Sequence, residues 1–235
     1  MKFGGTSMAD ITCIRQVAEI TKRRYLQRQR LAIVVSAMSG VTDELIEAGA
    51  QAARGLRDRT KTRIERLIHR YHAILGDLNL PQASRRINRK FAHLFSEAEA
   101  LCRGIEFEHR LTAPLLDRLS GIGERLSAPL AVAALAEAGV PGEAIEATEL
   151  IVTGATHGAA EPHSGLTRVR CRALDPLLAR GTVPVVTGFI AATAGGVPTT
   201  LGRNGSDFSA TILAAAIGAD EVIKQLTGKC YNSTR

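Results

Sequence analysis

"LAIVVSAMSGVTD" (residues 31–43) is the stretch of this sequence that decides the fold. Residues 31–37 form an apolar run of strand length, interrupted only by Ser36, which is typical of a strand buried on both faces. The run leads into small hydroxyl and glycine residues, namely Ser36, Ser39, Gly40 and Thr42. Small polar residues at the carboxyl end of a parallel strand lie where open α/β sheets bind ligands. Taken alone, however, this stretch favours simple capping of the next helix by Thr42 or Asp43.

Two other apolar runs predict strands, at residues 183–191 and, more weakly, at 220–224. Helical patterns occupy much of the remaining sequence. Their apolar positions are Ile11, Ile14, Val17 and Ala18; Ile64, Leu67, Ile68, Tyr71 and Leu75; Ile87, Phe91, Leu94, Phe95 and Ala98; and the run 127–139. Strands that alternate with helices indicate an α/β fold in which helices cover a parallel sheet. The helix-rich stretch of about 54–120 interrupts this order as an insertion, and 154–165 is predicted to be a long loop beside a substrate.

Composition narrows the class of protein. The 235 residues include 45% hydrophobic and 23% charged residues, as in ordinary globular proteins. The sequence shows neither a membrane-length apolar run nor a secretory signal, so we predict a cytoplasmic protein without a membrane partner. The four cysteines stand singly, which favours reduced thiols over disulfides or zinc: Cys13, Cys102, Cys171 and Cys230.

The net charge of +7 raises the possibility of nucleic-acid binding. The basic residues concentrate in two helical stretches, 21–30 and 83–90, and aromatic residues make up only 4% of the chain. No aromatic side chains alternate with these arginines to stack on bases. We therefore interpret both stretches as solvated helix faces and predict no nucleic-acid partner.

"KFGGTS" (residues 2–7) is the first candidate ligand site. Gly4 and Gly5 would let backbone N–H groups approach a phosphate, and Lys2 would lie at the tip of the first strand. Thr6 and Ser7 could cap the following helix, whose amino end favours anions. A plain strand–helix turn explains the same residues without a ligand.

Two later motifs carry charged residues beside glycines. "GIGERLS" (121–127) places Glu124 at the start of an apolar helix, either as a complement to the helix dipole or as a buried acceptor for an ammonium group. "LGRNGSD" (201–207) places Arg203 in a glycine-rich turn, where its fork suits a carboxylate or a phosphate. Ser206 and Asp207 begin the next helix. Together the motifs predict a small anionic substrate held near phosphates.

His69 and His72 lie three residues apart on a predicted helix. This spacing could bind a metal, but exposed helix histidines are the better explanation, and we predict no metal site formed by the protein alone.

The order of these motifs resembles the catalytic domain of aspartate kinases, within the amino-acid kinase superfamily. The resemblance rests on "KFGGTS", "VVSAMSGVTD", "GIGE" and "GFIA…TTLGRNGSDFSA", and it extends to about residue 223. It implies a three-layer α/β/α sandwich with a mainly parallel central sheet, as in carbamate kinase. It also implies transfer of phosphate from ATP, with Mg²⁺, to the side-chain carboxylate of L-aspartate, the first step toward lysine, threonine and methionine.

The resemblance also assigns roles to individual residues. Lys2 and Asp207 would be catalytic, with Lys2 on the transferring phosphoryl group and Asp207 organising the lysine and the phosphate–magnesium cluster. The nucleotide would contact Lys2, Gly4, Gly5, Thr6 and Ser7. Aspartate would be surrounded by Ser36, Thr42, Glu124, Arg203 and Ser206. Glu124 would bind its ammonium group and Arg203 a carboxylate.

The sequence departs from the family after about Ile223, where a Trp-Thr-Asp-Val segment and an Asp-Pro-Arg are usual. The tail, 224–235, is polar, and its "LTGK" lacks the spacing of a phosphate loop. We therefore expect a single domain over 1–235 that is incomplete at its carboxyl end, without a regulatory domain. Homo-oligomers remain possible. The alternatives are a non-catalytic remnant that keeps aspartate binding and, more remotely, a basic nucleic-acid-binding protein.

Overall fold

The structure is a computed structural model that describes residues 1–27, 29–78 and 81–225. Its helices are α1 (Ile11–Leu26), α2 (Val41–Ala53), α3 (Arg57–Gly76), α4 (Pro81–Glu108), α5 (Ala113–Ser120), α6 (Ile122–Glu137), α7 (Ser164–Cys171), α8 (Asp175–Ala179) and α9 (Gly205–Ile217). Its strands are β1 (Lys2–Phe3), β2 (Ile33–Val35), β3 (Gly142–Ile145), β4 (Val152–Thr153), β5 (Val183–Thr187), β6 (Ile190–Thr193), β7 (Pro198–Thr200) and β8 (Lys224–Gln225). Within this part of the chain, none of the helices combines the length and apolar character needed to cross a membrane.

The central sheet has the order β3-β5-β2-β1-β8, and its neighbouring strands pair in parallel. A second, smaller sheet has the order β4-β6-β7, with β4 parallel and β7 antiparallel to β6. The fold is thus α/β with a mainly parallel central sheet, as predicted.

Strand β2 shows why helices cover both faces of the sheet. Ile33 and Val35 point into a core formed with α1 to α4 and α6, whereas Val34 points into a second core formed with α7, α8 and α9. All three side chains are at most 2% exposed. The apolar run therefore exists because successive side chains need an apolar partner on opposite faces.

All three predicted strands have different bounds in the structure. The strand predicted at 31–37 is confined to Ile33–Val35. The run 183–191 divides into β5 and β6, because Phe189 between them adopts a left-handed φ of 64° and the chain passes to the second sheet. The strand predicted at 220–224 is confined to Lys224–Gln225. Residues 226–235, which include Cys230 and the "LTGK" sequence, lie outside the described residues.

Helix starts also differ from the predictions. Neither Thr6 nor Ser7 caps α1, because Gly5–Met8 form a separate 3₁₀ turn and Asp10 accepts the hydrogen bond from the Cys13 amide at 2.8 Å. Helix α2 has Gly40 at its N-cap, with φ at 78°, so capping by Thr42 or Asp43 is wrong. Two bounds also shift. The helix predicted from residue 127 starts at Ile122, and the predicted loop ends at His163, before α7.

Candidate active site

A cavity of about 260 Å³ opens at the carboxyl ends of β1, β2 and β5. It is lined by Lys2, Ser36, Thr42, Glu124, Phe189, Gly202, Asn204, Gly205, Ser206 and Asp207. Six of these side chains belong to the predicted site: Lys2, Ser36, Thr42, Glu124, Ser206 and Asp207. Four separate motifs therefore converge on one cavity, which the parallel topology explains because its strand ends meet at one edge.

A lysine and a carboxylate form the charged side of the cavity. Lys2 Nζ lies 2.7 Å from Asp207 Oδ1, and the Lys2 side chain is 10% exposed. Asp207 also forms an ion pair through Oδ2 with Lys224, a residue that the sequence did not single out. Partial burial acts to raise the pKa of Asp207, but the two ammonium groups outweigh it and hold that pKa below its ordinary value. Asp207 is therefore a carboxylate held ionised between two cations.

Glu124 lies in the first turn of α6 and is only 3% exposed. Its Oε1 accepts a hydrogen bond from the Ala37 amide at 3.1 Å, whereas Oε2 has no partner among the described residues. Burial raises the pKa of Glu124 from 4.5 to about 8. Such an unpaired acceptor facing a cavity is costly without a ligand and is a candidate functional group.

The glycines of "GIGE" explain how Glu124 reaches this position. A Cβ placed on Gly123 would lie 2.7 Å from the Cβ of Ala37, so a larger residue would push the first turn of α6 away from the end of β2. That approach brings Glu124 under the Ala37 amide. Gly123 thus allows close packing of the helix on the strand end, and Glu124 supplies the carboxyl group.

The turn after β1 brings the backbone close to the same edge of the sheet. A Cβ on Gly5 would lie 3.1 Å from the Ala37 carbonyl oxygen, and one on Gly4 would lie 3.4 Å from Lys2 Nζ. The Gly5 carbonyl oxygen accepts a hydrogen bond from the Ser39 amide at 3.1 Å. A side chain at Gly5 would therefore crowd the neighbouring strand end, whereas one at Gly4 would only come into contact with the lysine.

Five of the predicted site residues do not line the cavity, namely Gly4, Gly5, Thr6, Ser7 and Arg203. Arg203 is exposed, although its neighbours Gly202 and Asn204 line the cavity. Gly202 and Asn204 both have a positive φ, which makes the turn tight. The structure thus places Arg203 at the rim.

Asp117 is a buried carboxylate that the sequence did not reveal. It is 3% exposed and accepts hydrogen bonds from Thr200 Oγ1 at 2.6 Å and from the Gly158 amide at 3.1 Å, and it contacts His157 Nδ1 at 2.7 Å. These contacts join α5, β7 and the loop of residues 154–163. The loop in turn packs on the cavity, since a Cβ on Gly202 would lie 2.9 Å from the Gly158 carbonyl oxygen. Asp117 therefore positions the rim without lining the cavity.

A larger cavity, of about 540 Å³, lies at the opposite edge of the sheet, where Met1 and Ala32 precede β1 and β2. The smaller cavity combines glycine turns, a buried carboxylate and a lysine, and the lining of the larger cavity does not.

His69 and His72 are both exposed. Across residues 1–27, 29–78 and 81–225, no group of three or more His, Cys, Asp or Glu side chains is placed to hold a metal ion.

The chain belongs to the amino acid kinase family, whose family model matches residues 1–225. Within that family its sequence is similar to aspartokinases. It is 33% identical to the lysine-sensitive aspartokinase 3 of Escherichia coli K12, over 94% of this chain and 47% of that protein. It is 32% identical to the chloroplastic bifunctional aspartokinase/homoserine dehydrogenase 2 of Zea mays, over 94% of this chain and 24% of that protein.

The fold agrees with the sequence comparison. The crystal structure of E. coli aspartokinase III in complex with aspartate and ADP matches with a TM-score of 0.82 and 29% identity, over 93% of this chain and 46% of that one. The complex of the same enzyme with lysine and aspartate matches with the same TM-score and 30% identity. This chain thus spans from about a quarter to about half of the length of the relatives it matches.

Proposed function

We propose that this chain transfers the terminal phosphate of ATP to the side-chain carboxylate of L-aspartate. The observation that carries the proposal is that one cavity is lined both by the unpaired buried Glu124 and by the Lys2–Asp207 ion pair, which we assign to an aspartate half and a phosphate half. An amino acid needs the first half and a polyphosphate needs the second. The similarity to aspartokinases supports aspartate as the amino acid.

The aspartate half is built around Glu124. Its Oε2 would accept the substrate ammonium group, which gives a buried acceptor the partner that it lacks. Ser36, Thr42 and Ser206 line the same cavity and offer hydroxyl groups to the substrate carboxylates. Arg203 at the rim would bind a carboxylate through its planar fork, which requires the arginine to turn inward from its exposed position.

The phosphate half would receive the polyphosphate of ATP. Gly4 and Gly5 follow Lys2 and carry no side chain that could block it, and Lys2 supplies an ammonium group that is 10% exposed. Thr6 and Ser7 continue this turn and would add hydroxyl or amide donors. Mg²⁺, which would neutralise phosphate charge when bound, would arrive with the nucleotide, because both oxygens of Asp207 already contact lysines.

The proposed chemistry needs positioning more than proton transfer. The attacking carboxylate of aspartate is ionised at neutral pH, so no general base is required. Lys2 would stabilise charge on the transferring phosphoryl group, and Asp207 would hold that lysine in place. The product would serve biosynthesis of lysine, threonine and methionine in the cytoplasm, with residues 1–225 acting as one kinase domain and α3 to α5 as its insertion.

The direct test incubates the protein with MgATP and aspartate and traps aspartyl phosphate as the hydroxamate. We expect ADP release that depends on aspartate, at about 1–100 per second. Glu124→Gln should lower the rate strongly, whereas Glu65→Gln, on the exposed face of α3, should not. Aspartate binding without hydroxamate would refute the activity and leave the non-catalytic alternative. Absence of both, together with DNA binding that falls steeply with salt, would favour the nucleic-acid alternative.

A further inference from the structure

Lys2 and Lys224 lie side by side on neighbouring parallel strands. The β1–β8 pairing aligns Lys2 with Lys224 and Phe3 with Gln225. Residues in register on adjacent strands project to the same face of a sheet. Both ammonium groups accordingly reach the same carboxylate, Lys2 at Oδ1 and Lys224 at Oδ2 of Asp207.

This arrangement leaves uncompensated positive charge. Like charges opposite each other on paired strands are destabilising. In the part of the chain that the structure describes, Asp207 is the one carboxylate that forms an ion pair with either lysine. Two cations and one anion therefore leave one net positive charge at the edge of the cavity, which an anion can compensate.

The two lysines differ in depth. The Lys2 side chain is 10% exposed and lines the cavity with Glu124, whereas the Lys224 side chain is 48% exposed, does not line the cavity and contacts the other carboxylate oxygen of Asp207. A polyphosphate whose terminal group contacted Lys2 would have its next phosphate within reach of Lys224, because both ammonium groups contact the same carboxylate and that of Lys224 is the more exposed.

We propose that Lys224 is a second phosphate-binding residue, which contacts the part of the polyphosphate that remains on the nucleotide after transfer. The inference rests on the proposed function, because it takes the occupant of the phosphate half to be a nucleoside triphosphate. Asp207 acts as the spacer that keeps the two lysines together when no anion is bound. Lys224 therefore contributes to binding of the product ADP as well as of ATP.

The test measures binding of inorganic tripolyphosphate and of ADP by calorimetry at low salt. Lys224→Ala should weaken both by about tenfold or more, the value of a lost charge-assisted contact. Lys61→Ala is the matched control, since it removes the same charge from an exposed site on α3 and should change affinity by less than about twofold. Lys224→Arg should retain most of the affinity, and aspartate affinity should not change.

Equal effects of Lys224→Ala and Lys61→Ala would overturn the proposal, since the basic chain would then attract phosphate only in general. Thermal unfolding without ligand checks that each variant is folded, and Lys224→Gln, which can still donate to Asp207, replaces the alanine variant if that one unfolds. Tripolyphosphate binding that requires Lys224 without any aspartyl phosphate would refute the kinase function and keep this inference. If kinase activity and ADP affinity are both unchanged in Lys224→Ala, the role of Lys224 is refuted and the kinase function stands.

Discussion

Replacing Glu124 by glutamine should stabilise the ligand-free protein, increasingly so as pH rises. The carboxyl group is 3% exposed and burial raises its pKa from 4.5 to about 8. Between these two values the folded chain keeps a proton that the unfolded chain has lost, so the stability that this group contributes falls as pH rises. The slope is about 1.4 kcal/mol per pH unit, which amounts to about 3 kcal/mol at pH 7. Glutamine keeps an acceptor for the Ala37 amide and does not ionise.

Urea unfolding of both proteins at several pH values between 5 and 8 measures this difference. We expect similar free energies of unfolding near pH 5 and a gap that widens toward pH 8 in favour of Glu124→Gln. Glu65→Gln is the control, because its exposed carboxylate should give curves that run parallel to those of the wild type. If the curves of Glu124→Gln also run parallel to those of the wild type, the pKa of Glu124 is not raised in the folded protein and the prediction is wrong.

Three other outcomes test the site. Aspartate affinity in calorimetry should rise about tenfold per pH unit up to about pH 8, with release of one proton, because the substrate ammonium group needs an ionised Glu124; a flat profile would contradict this pairing. Arg203→Ala should weaken aspartate binding by about tenfold or more and Arg203→Lys should not restore it, since the fork is lost; equal affinities would remove Arg203 from the site. Lys2→Ala should lower turnover far more than aspartate affinity, and normal turnover in a hydroxamate assay would refute its role.

Much of the fold follows from patterns that the sequence displays directly. The run 31–37 predicts a strand covered on both faces, because alternate side chains of β2 enter two separate cores. The break at Phe189 was not predictable, because it depends on a tertiary approach: a Cβ on the preceding Gly188 would lie 2.6 Å from the Cβ of Ser206. Likewise, Thr6, Ser7 and Asp10 are all residue types that cap helices. Asp10 is the cap of α1 because Gly5–Met8 form a separate 3₁₀ turn before it.

Some residues of the site could be predicted from the sequence and others could not. Lys2, Glu124 and Asp207 stand in glycine-containing motifs, and such motifs indicate close backbone approach, so their convergence was predictable. Lys224 carries no such signal, since its importance comes from the register between β1 and β8 rather than from neighbouring residues. Asp117 lies in an ordinary helix, and its three partners come from distant parts of the chain. Contacts of this kind are invisible without the fold.

The anchoring of residues 154–163 by Asp117 bears on how a substrate would enter. The Gly158 amide hydrogen points at a carboxylate that is 3% exposed, so it must break that contact before it can exchange with deuterium from solvent. A polar loop would thereby show the slow exchange of a core strand. The rim beside Gly202 would then be rigid before any ligand arrives, and a substrate would be selected by the fit of a preformed mouth rather than by a lid that closes behind it.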